Sequence, residues 1–296
     1  MDGQPTALVT GSTSGIGLAL CTELARRDVA VVVHGRTEGS AKAAAMRIGA
    51  AVQQQIPYLT ADLTSQDQVR TLASQVRERF GALNLLVHNA GIQQAAFGVV
   101  DGREETFAVN HLASYLLTHE LFDVLATNGP ARVVFVSSAA HSWGTIHWDD
   151  LVGYGWYQPE LAYAQAKLAS LLTTQELARR TRGGPVTILT VNPGSTRTTL
   201  GEEVSRLAST IGQFWRPLMR RPSTVARELA TICLHQRFAR AHGAYVARGL
   251  IRQPARSALD VEAQRRMWSI SAQLTSVDPQ WPQITSGPTR THPAHG

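Results

Sequence analysis

Apolar positions gather into short runs near residues 6–10, 29–34, 56–60, 83–88, 131–137, 185–191 and 243–247, separated by longer stretches of helical period. Seven strands alternating with helices predict an α/β domain on a doubly wound, seven-stranded parallel sheet with helices on both faces. No linker interrupts the alternation, so residues 1–277 read as one domain; at 296 residues and 44% hydrophobic content the chain can bury a large core. Ligands of such sheets bind beyond the carboxyl ends of the strands. Gly11, Arg36, Asp62, Asn89, Ser138 and Pro193 each follow a predicted strand and are therefore expected to converge on one crevice. Residues 278–296, with Pro279, Pro282, Pro288 and Pro293, lose periodicity and read as an extended or mobile tail.

The first strand, Ala7-Leu8-Val9-Thr10, runs into Gly11-Ser12-Thr13-Ser14-Gly15-Ile16-Gly17, and the helical pattern Leu18, Leu20, Leu24 follows at once. Together they make a phosphate cradle. Glycines admit a pyrophosphate close to the backbone, and free N–H groups at the positive helix end stabilise its charge. The spacing Gly-x3-Gly-x-Gly departs from the Gly-x-Gly-x2-Gly dinucleotide fingerprint, and a plain tight turn is the bland alternative for such a loop taken alone.

A second constellation lies in Tyr163-Ala-Gln-Ala-Lys167. Four-residue spacing puts phenol and ammonium on one helix face. The cation is expected to lower the phenol's pKa from its ordinary value of about 10, which readies a proton donor for carbonyl chemistry. With two lysines and six tyrosines in 296 residues, chance would place a Tyr-x3-Lys only about 0.04 times.

With these elements in this order, the chain resembles the short-chain dehydrogenase/reductase family from Thr6 to about Ser276. The matching landmarks are Thr10 to Gly17, Asp62-Leu63, Asn89-Ala90-Gly91, Ser138 with Tyr163-x3-Lys167, and Asn192-Pro193-Gly194. Phe107-Ala108-Val109-Asn110-His111-Leu112 and Val136-Ser137-Ser138-Ala139-Ala140-His141 are similar to the retinol-dehydrogenase-like branch, whose name does not make retinol the substrate.

The resemblance implies a Rossmann fold and a nicotinamide dinucleotide. Its cofactor-binding positions correspond to Gly11, Ser12, Thr13, Ser14, Gly15, Ile16, Gly17, Arg36, Asp62, Leu63, Asn89, Ala90, Gly91, Tyr163, Lys167, Pro193, Gly194, Thr196 and Thr198. Its catalytic positions correspond to Asn110, Ser138, Tyr163 and Lys167. Tyr163 would exchange the proton with the substrate oxygen, Ser138 would hold that oxygen, and Lys167 would tune Tyr163 and hold the nicotinamide ribose. Asn110 would support a water that links Lys167 to solvent. One departure is His88-Asn89-Ala90-Gly91 where the family usually has Asn-Asn-Ala-Gly; His88 either repacks the cofactor floor or fills a bland place.

Cofactor choice turns on the end of the second strand, Val33-His34-Gly35-Arg36. A carboxylate there would bind the ribose hydroxyls of NAD, whereas Arg36 offers a planar fork suited to phosphate. NADP(H) is therefore expected over NAD(H), with Glu38 nearby as the opposing feature. Residues 195–222 follow the Pro193-Gly194 turn and are expected to cover the substrate. Leu200, Leu207, Ile211, Phe214, Trp215, Leu218 and Met219 give that segment an apolar face, which either packs on the sheet or receives a hydrophobic carbonyl or alcohol. A non-redox cyclase or dehydratase, or a cofactor-binding protein without turnover, are the competing classes.

Composition narrows the setting. The net charge is +6, but the 26 arginines are scattered and no aromatic-interleaved basic stripe accompanies them, so nucleic acid is not an expected partner. An anionic substrate or a membrane surface near Arg216 to Arg221 stays open. Cys21 and Cys233 sit in apolar helical patterns and read as core thiols in a reducing cytosol. No run reaches about 18 apolar residues, whereas membrane-anchored retinol dehydrogenases carry such a segment; a cytoplasmic protein without a transmembrane anchor is expected. His111, His141 and His147 lie near the active-site segments without metal-ligand spacing, so no metal is expected. A homodimer is one option for assembly.

Overall fold

The computed structural model describes residues 4–127, 129–194 and 220–282. Its first half runs β1 Thr6–Val9, α1 Gly15–Ala25, β2 Ala30–Gly35, α2 Glu38–Val52, β3 Tyr58–Thr60, α3 Gln66–Phe80 and β4 Leu85–His88. A small hairpin of β5 Val99–Val100 and β6 Arg103–Glu104 leads into α4 Glu105–Phe107, a π-helical turn Ala108–Leu112 and α5 Ala113–Thr127. Then come β7 Ala131–Val136, α6 Pro159–Arg180, β8 Val186–Asn192, α7 Pro222–Leu234, α8 Gln236–Ala239, β9 Tyr245–Ala247, β10 Leu250–Arg252 and α9 Val261–Thr275.

The strands pair in the order β10-β9-β8-β7-β4-β1-β2-β3, an eight-stranded sheet that is parallel except at one edge. All seven expected strands are present. The expectation of seven is corrected by β10, which pairs antiparallel with β9 across Arg248-Gly249. Both turn residues have positive φ, at 50° and 75°, the backbone hand that suits a two-residue hairpin. Each β10 residue is exposed, so its apolar pattern carried little of the burial signal that marks the other strands. An X-Gly pair between apolar residues was the available cue.

The sheet is covered on both sides because its strands are apolar on both sides. Leu8, Val32, Leu86, Val133 and Ile188 pack into one cluster with α3 and α5; Ala7, Val9, Val31, Val33 and Val87 pack into another with α1, α2 and α7. Adjacent residues on a strand point to opposite faces, so a continuous apolar run requires two helical layers. Cys21 and Cys233 are buried in the second cluster as free thiols. From β1 the chain winds outward to β2 and β3, then returns to β4 on the opposite side of β1. That reversal opens a crevice at the carboxyl ends of β1 and β4.

The first residues of the expected tail are docked. Trp281 is 7% exposed and sits against Tyr115, Phe122 and Trp268. Its indole N–H donates to the Tyr115 hydroxyl at 3.1 Å, and Arg180 donates to the carbonyls of Pro279 and Trp281. One aromatic anchor overrides the lack of periodicity around it. Trp281→Ala is expected to lower unfolding free energy by about 3–5 kcal/mol in urea denaturation; a loss under about 1 kcal/mol would mean that the segment contributes nothing to the core.

Candidate active site

A cleft of about 1190 Å³ opens at the carboxyl ends of β1, β2, β4, β7 and β8. Gly11, Thr13, Ser14, Gly15, Ile16, Gly17, Arg36, Asp62, Leu63, Asn89, Ala90, Gly91, Ser138, Tyr163, Lys167, Pro193 and Gly194 all line it. The convergence expected from the strand ends is therefore the observed geometry. Thr196, Thr198 and the segment 195–219, including its apolar side chains, lie outside the described residues.

The glycine loop begins at the end of β1 and opens α1 at Gly15. Gly17 is where the helix meets the β4 turn: a Cβ there would lie 2.5 Å from both Asn89 Nδ2 and the Gly11 carbonyl oxygen. Nothing larger than hydrogen fits. Asn89 Nδ2 donates to the carbonyls of Thr10 and Gly11 at 2.9 and 3.0 Å, and the N–H groups of Asn89 and Ala90 donate to Thr10 Oγ1, each at 3.1 Å. Asn89 and Ala90 thus line the cleft while their polar groups brace the loop.

Ser12 is not among the residues that line the cleft. It is fully buried, and its Oγ accepts from the His34 N–H at 2.9 Å. Small polar side chains satisfy buried backbone donors as readily as they bind ligands, and sequence does not separate the two. His34 was missed for the complementary reason. Its Nδ1 accepts from the Gly11 N–H at 3.1 Å and its Nε2 donates to the Ala61 carbonyl at 3.2 Å, so a neutral imidazole ties the loop to the ends of β2 and β3. Burial holds its pKa down to about 4, which keeps that arrangement intact at neutral pH.

Tyr163 and Lys167 project from α6, which starts with Pro159 at its first turn and buries most of its length. Lys167 Nζ lies 5.5 Å from the centre of the Tyr163 ring and donates to the Val136 carbonyl at 3.2 Å. Ser138 follows β7, its hydroxyl accepts from the Ala140 N–H at 3.3 Å, and it lines the cleft beside Tyr163. Tyr163 is half-buried, its ring forming part of the cleft wall.

The expected lowering of the phenol is corrected: burial pushes Tyr163 above its ordinary value, and the neighbouring Ser138 side chain offsets only part of this. Spacing reveals the Coulomb attraction but not the desolvation, which here acts on both groups. The same burial brings Lys167 down to about 8. At neutral pH the pair is a protonated phenol beside an ammonium.

Asn110 does not face the main cleft. Glu104 caps α4 by accepting from the N–H groups of Thr106 and Phe107, each at 2.7 Å, and the π-helical turn then aims Asn110 at the loop after β4. Its Oδ1 accepts from the Ile92 N–H and its Nδ2 donates to the Ile92 carbonyl, both at 2.8 Å. Behind it a cavity of about 10 Å³ is bounded by His88, Asn110, Ser114, Lys167 and Ser170, room for about one water. His88 stacks on Phe135 with centroids 4.7 Å apart and bonds Thr118 at 2.8 Å; it fills a buried structural place, and burial lowers its pKa to about 3.

Residues 5–208 match the protein family described as short chain dehydrogenase. The chain belongs to that family. It is 34% identical over 285 residues to retinol dehydrogenase 13 of Homo sapiens, covering 92% of this chain and 85% of that one, which puts it on the retinol-dehydrogenase-like side. Among solved structures, an uncharacterised protein from Mycobacterium paratuberculosis superimposes with a TM-score of 0.74 at 29% identity, over 95% of this chain and 98% of that one. A short-chain dehydrogenase from Burkholderia cenocepacia, in complex with NADP, superimposes with a TM-score of 0.66 at 25% identity, over 82% and 95% of the two chains.

As a short-chain dehydrogenase the protein is an oxidoreductase of alcohol and carbonyl groups that uses a nicotinamide dinucleotide. The cleft fits such a group: it is long, and one wall is a glycine loop whose crossing at Gly17 leaves no space for a side chain. Among the described residues no three His, Cys, Asp or Glu side chains gather to hold a metal ion, and no helix is long and apolar enough to cross a membrane.

Lys167 carries a stability consequence. Its folded pKa of about 8 lies below the ordinary 10.5, so the unfolded chain binds more protons between those values and this group makes stability rise with pH across that window. At neutral pH its buried charge costs roughly 3 kcal/mol by the same difference. Lys167→Met is expected to raise the melting temperature of the cofactor-free protein by several degrees at neutral pH while removing turnover; an unchanged or lower melting temperature would show that the ammonium is not held against a desolvation penalty.

Proposed function

We propose that the protein is an NADP(H)-dependent oxidoreductase that interconverts a carbonyl and an alcohol on a hydrophobic small molecule, with Tyr163 as proton donor and acceptor. The carrying observation is the meeting of Tyr163, Ser138 and Lys167 on one wall of a cleft that also contains the glycine loop. When bound, the nicotinamide supplies or accepts the hydride at the substrate carbon. Tyr163 and Ser138 hold the substrate oxygen between two hydroxyls, and Tyr163 passes its proton to that oxygen as negative charge builds there. A raised phenol pKa keeps that proton in place at neutral pH, which suits reduction. Lys167 stabilises the phenolate left behind, and in this low-dielectric setting a nearby ammonium acts more strongly than it would in water. Asn110 holds Ile92 and walls the water-sized cavity, from which a water would return the proton through Lys167.

Arg36 supports the cofactor preference. It is exposed at the cleft rim beside Thr37 and Ser40 at the start of α2, where guanidinium, hydroxyls and helix dipole all favour an anion. The opposing feature is turned aside: Glu38 accepts a hydrogen bond from the Tyr58 hydroxyl at 3.4 Å and does not line the cleft. NADP in the Burkholderia relative agrees with this reading. Apolar substrates are favoured by a cluster of rings joined to the cleft wall at Gln94, whose carbonyl accepts from the Tyr157 hydroxyl at 2.9 Å; Phe97 meets Tyr154 and Tyr157 edge-on at 5.6 and 5.1 Å and remains 42% exposed.

A panel of apolar ketones, aldehydes and alcohols followed by NADPH absorbance is expected to give stoichiometric cofactor turnover; conversion without a change in NADPH would favour a non-redox enzyme. Tyr163→Phe is expected to lower kcat by about 10²–10⁴-fold with NADPH affinity nearly intact, and retained activity would remove Tyr163 from this role. In titrations NADPH is expected to bind at least about tenfold more tightly than NADH, with Arg36→Ala removing most of the difference; equal affinities in the unaltered protein would contradict the assignment of Arg36.

A further inference from the structure

His141 ends the Val136 to His141 segment and has no part in the chemistry above, yet it is 3% exposed and holds two defined hydrogen bonds. Its Nδ1 lies 2.6 Å from the Ser138 carbonyl oxygen, and the Ala255 N–H reaches its Nε2 at 3.3 Å. A carbonyl only accepts and a backbone N–H only donates, so these partners fix the neutral tautomer with the proton on Nδ1. Burial lowers the His141 pKa, in keeping with an uncharged ring.

The ring also touches the other side of the site. His141 meets Tyr245 edge-on, with centroids 5.2 Å apart. Asn192 Nδ2 donates to the Tyr245 hydroxyl at 2.9 Å, and Asn192 Oδ1 accepts from the Gly194 N–H at 3.0 Å. A continuous chain of contacts therefore runs from the turn that presents Ser138, through His141, Tyr245 and Asn192, to the Pro193-Gly194 turn on the opposite rim of the cleft.

We infer that His141 is a positioning residue: by donating to the Ser138 carbonyl while seated against Tyr245, it sets the turn that presents the serine hydroxyl and fixes its place relative to the Pro193-Gly194 turn. Ser138 and the Pro193-Gly194 turn line the cleft just past different strands, β7 and β8, and the sheet alone does not fix loop positions beyond the strand ends. Misplacement of the serine by a fraction of an ångström affects the transition state, in which the oxygen is charged, more than binding of the neutral substrate. The inference rests on Ser138 holding the substrate oxygen, and the test separates failure of that reading from failure of the positioning role.

His141→Asn keeps a donor near the Nδ1 position, whereas His141→Gln keeps an acceptor near the Nε2 position and loses the donor. Wild type and both variants are compared by NADPH Kd, by kcat and KM with the best carbonyl substrate, and by amide deuterium exchange of peptides covering 138–143 and 192–194. His141→Asn is expected to keep kcat within about 3-fold, while His141→Gln loses about 10- to 100-fold in kcat with KM and NADPH Kd nearly unchanged. Exchange at 138–143 is expected to quicken at least about tenfold in His141→Gln and under about 3-fold in His141→Asn. The milder Tyr245→Phe, which removes only the hydroxyl, is expected to quicken exchange at 192–194 and leave 138–143 as in wild type. Equal losses in the Asn and Gln variants, a loss confined to KM, or unchanged exchange in His141→Gln would overturn the inference. A wild type without carbonyl turnover would sink the oxidoreductase reading instead, and the exchange pattern would then decide the positioning role alone.

Discussion

Everything in this molecule turns on an ammonium held almost out of solvent. Lys167 sits in the interior of α6 with one backbone carbonyl, that of Val136, and one aromatic ring, that of Tyr163, as its described neighbours. A charge in that position is tolerated only because polar groups surround it: Asn110, Ser114 and Ser170 share the small cavity behind it. The β4 turn passes so close that a Cβ on Gly91 would lie 3.5 Å from Lys167 Nζ and 3.2 Å from Asn110 Oδ1. The π-helical turn, the small residue at 91 and the register of α6 against β7 can all be read as consequences of seating that one group.

The cofactor side has a comparable logic in neutral groups. The glycine loop does not hold its shape by backbone freedom alone: His34 accepts from the Gly11 N–H and Asn89 donates to the Gly11 carbonyl, while Thr10 and Ser12 in turn accept from the backbone N–H groups of Asn89 and His34. That scaffolding leaves the residues from Thr13 to Gly17 facing the cleft.

What the sequence disclosed, and what it hid, divides along a physical line. The parallel strands were legible because burial on both faces makes them near-continuous apolar runs, and the Tyr163–Lys167 pair was legible because helix geometry converts spacing into adjacency. β10 was hidden because its three residues are exposed. Ser12, His34 and His141 were hidden as a class: each hydrogen-bonds backbone that is distant in sequence, His141 through Ala255, and residue type carries no trace of which backbone atom lies opposite. Trp281 was hidden because a docked tail needs one large anchor and no period. The direction of the Tyr163 shift was misjudged because spacing reveals a charged neighbour but not the loss of solvent around both groups.

The account therefore rests on a charged Lys167 beside a protonated Tyr163, a state with a bounded pH range. The most direct test is kcat for NADPH-driven carbonyl reduction at saturating substrate, followed from about pH 6 to about pH 10. The expected profile is flat through neutrality and falls above an apparent pKa near 8, where Lys167 loses its proton. A rate that holds constant to the alkaline limit, or one that already declines on the acid side of neutrality as pH rises, would contradict it.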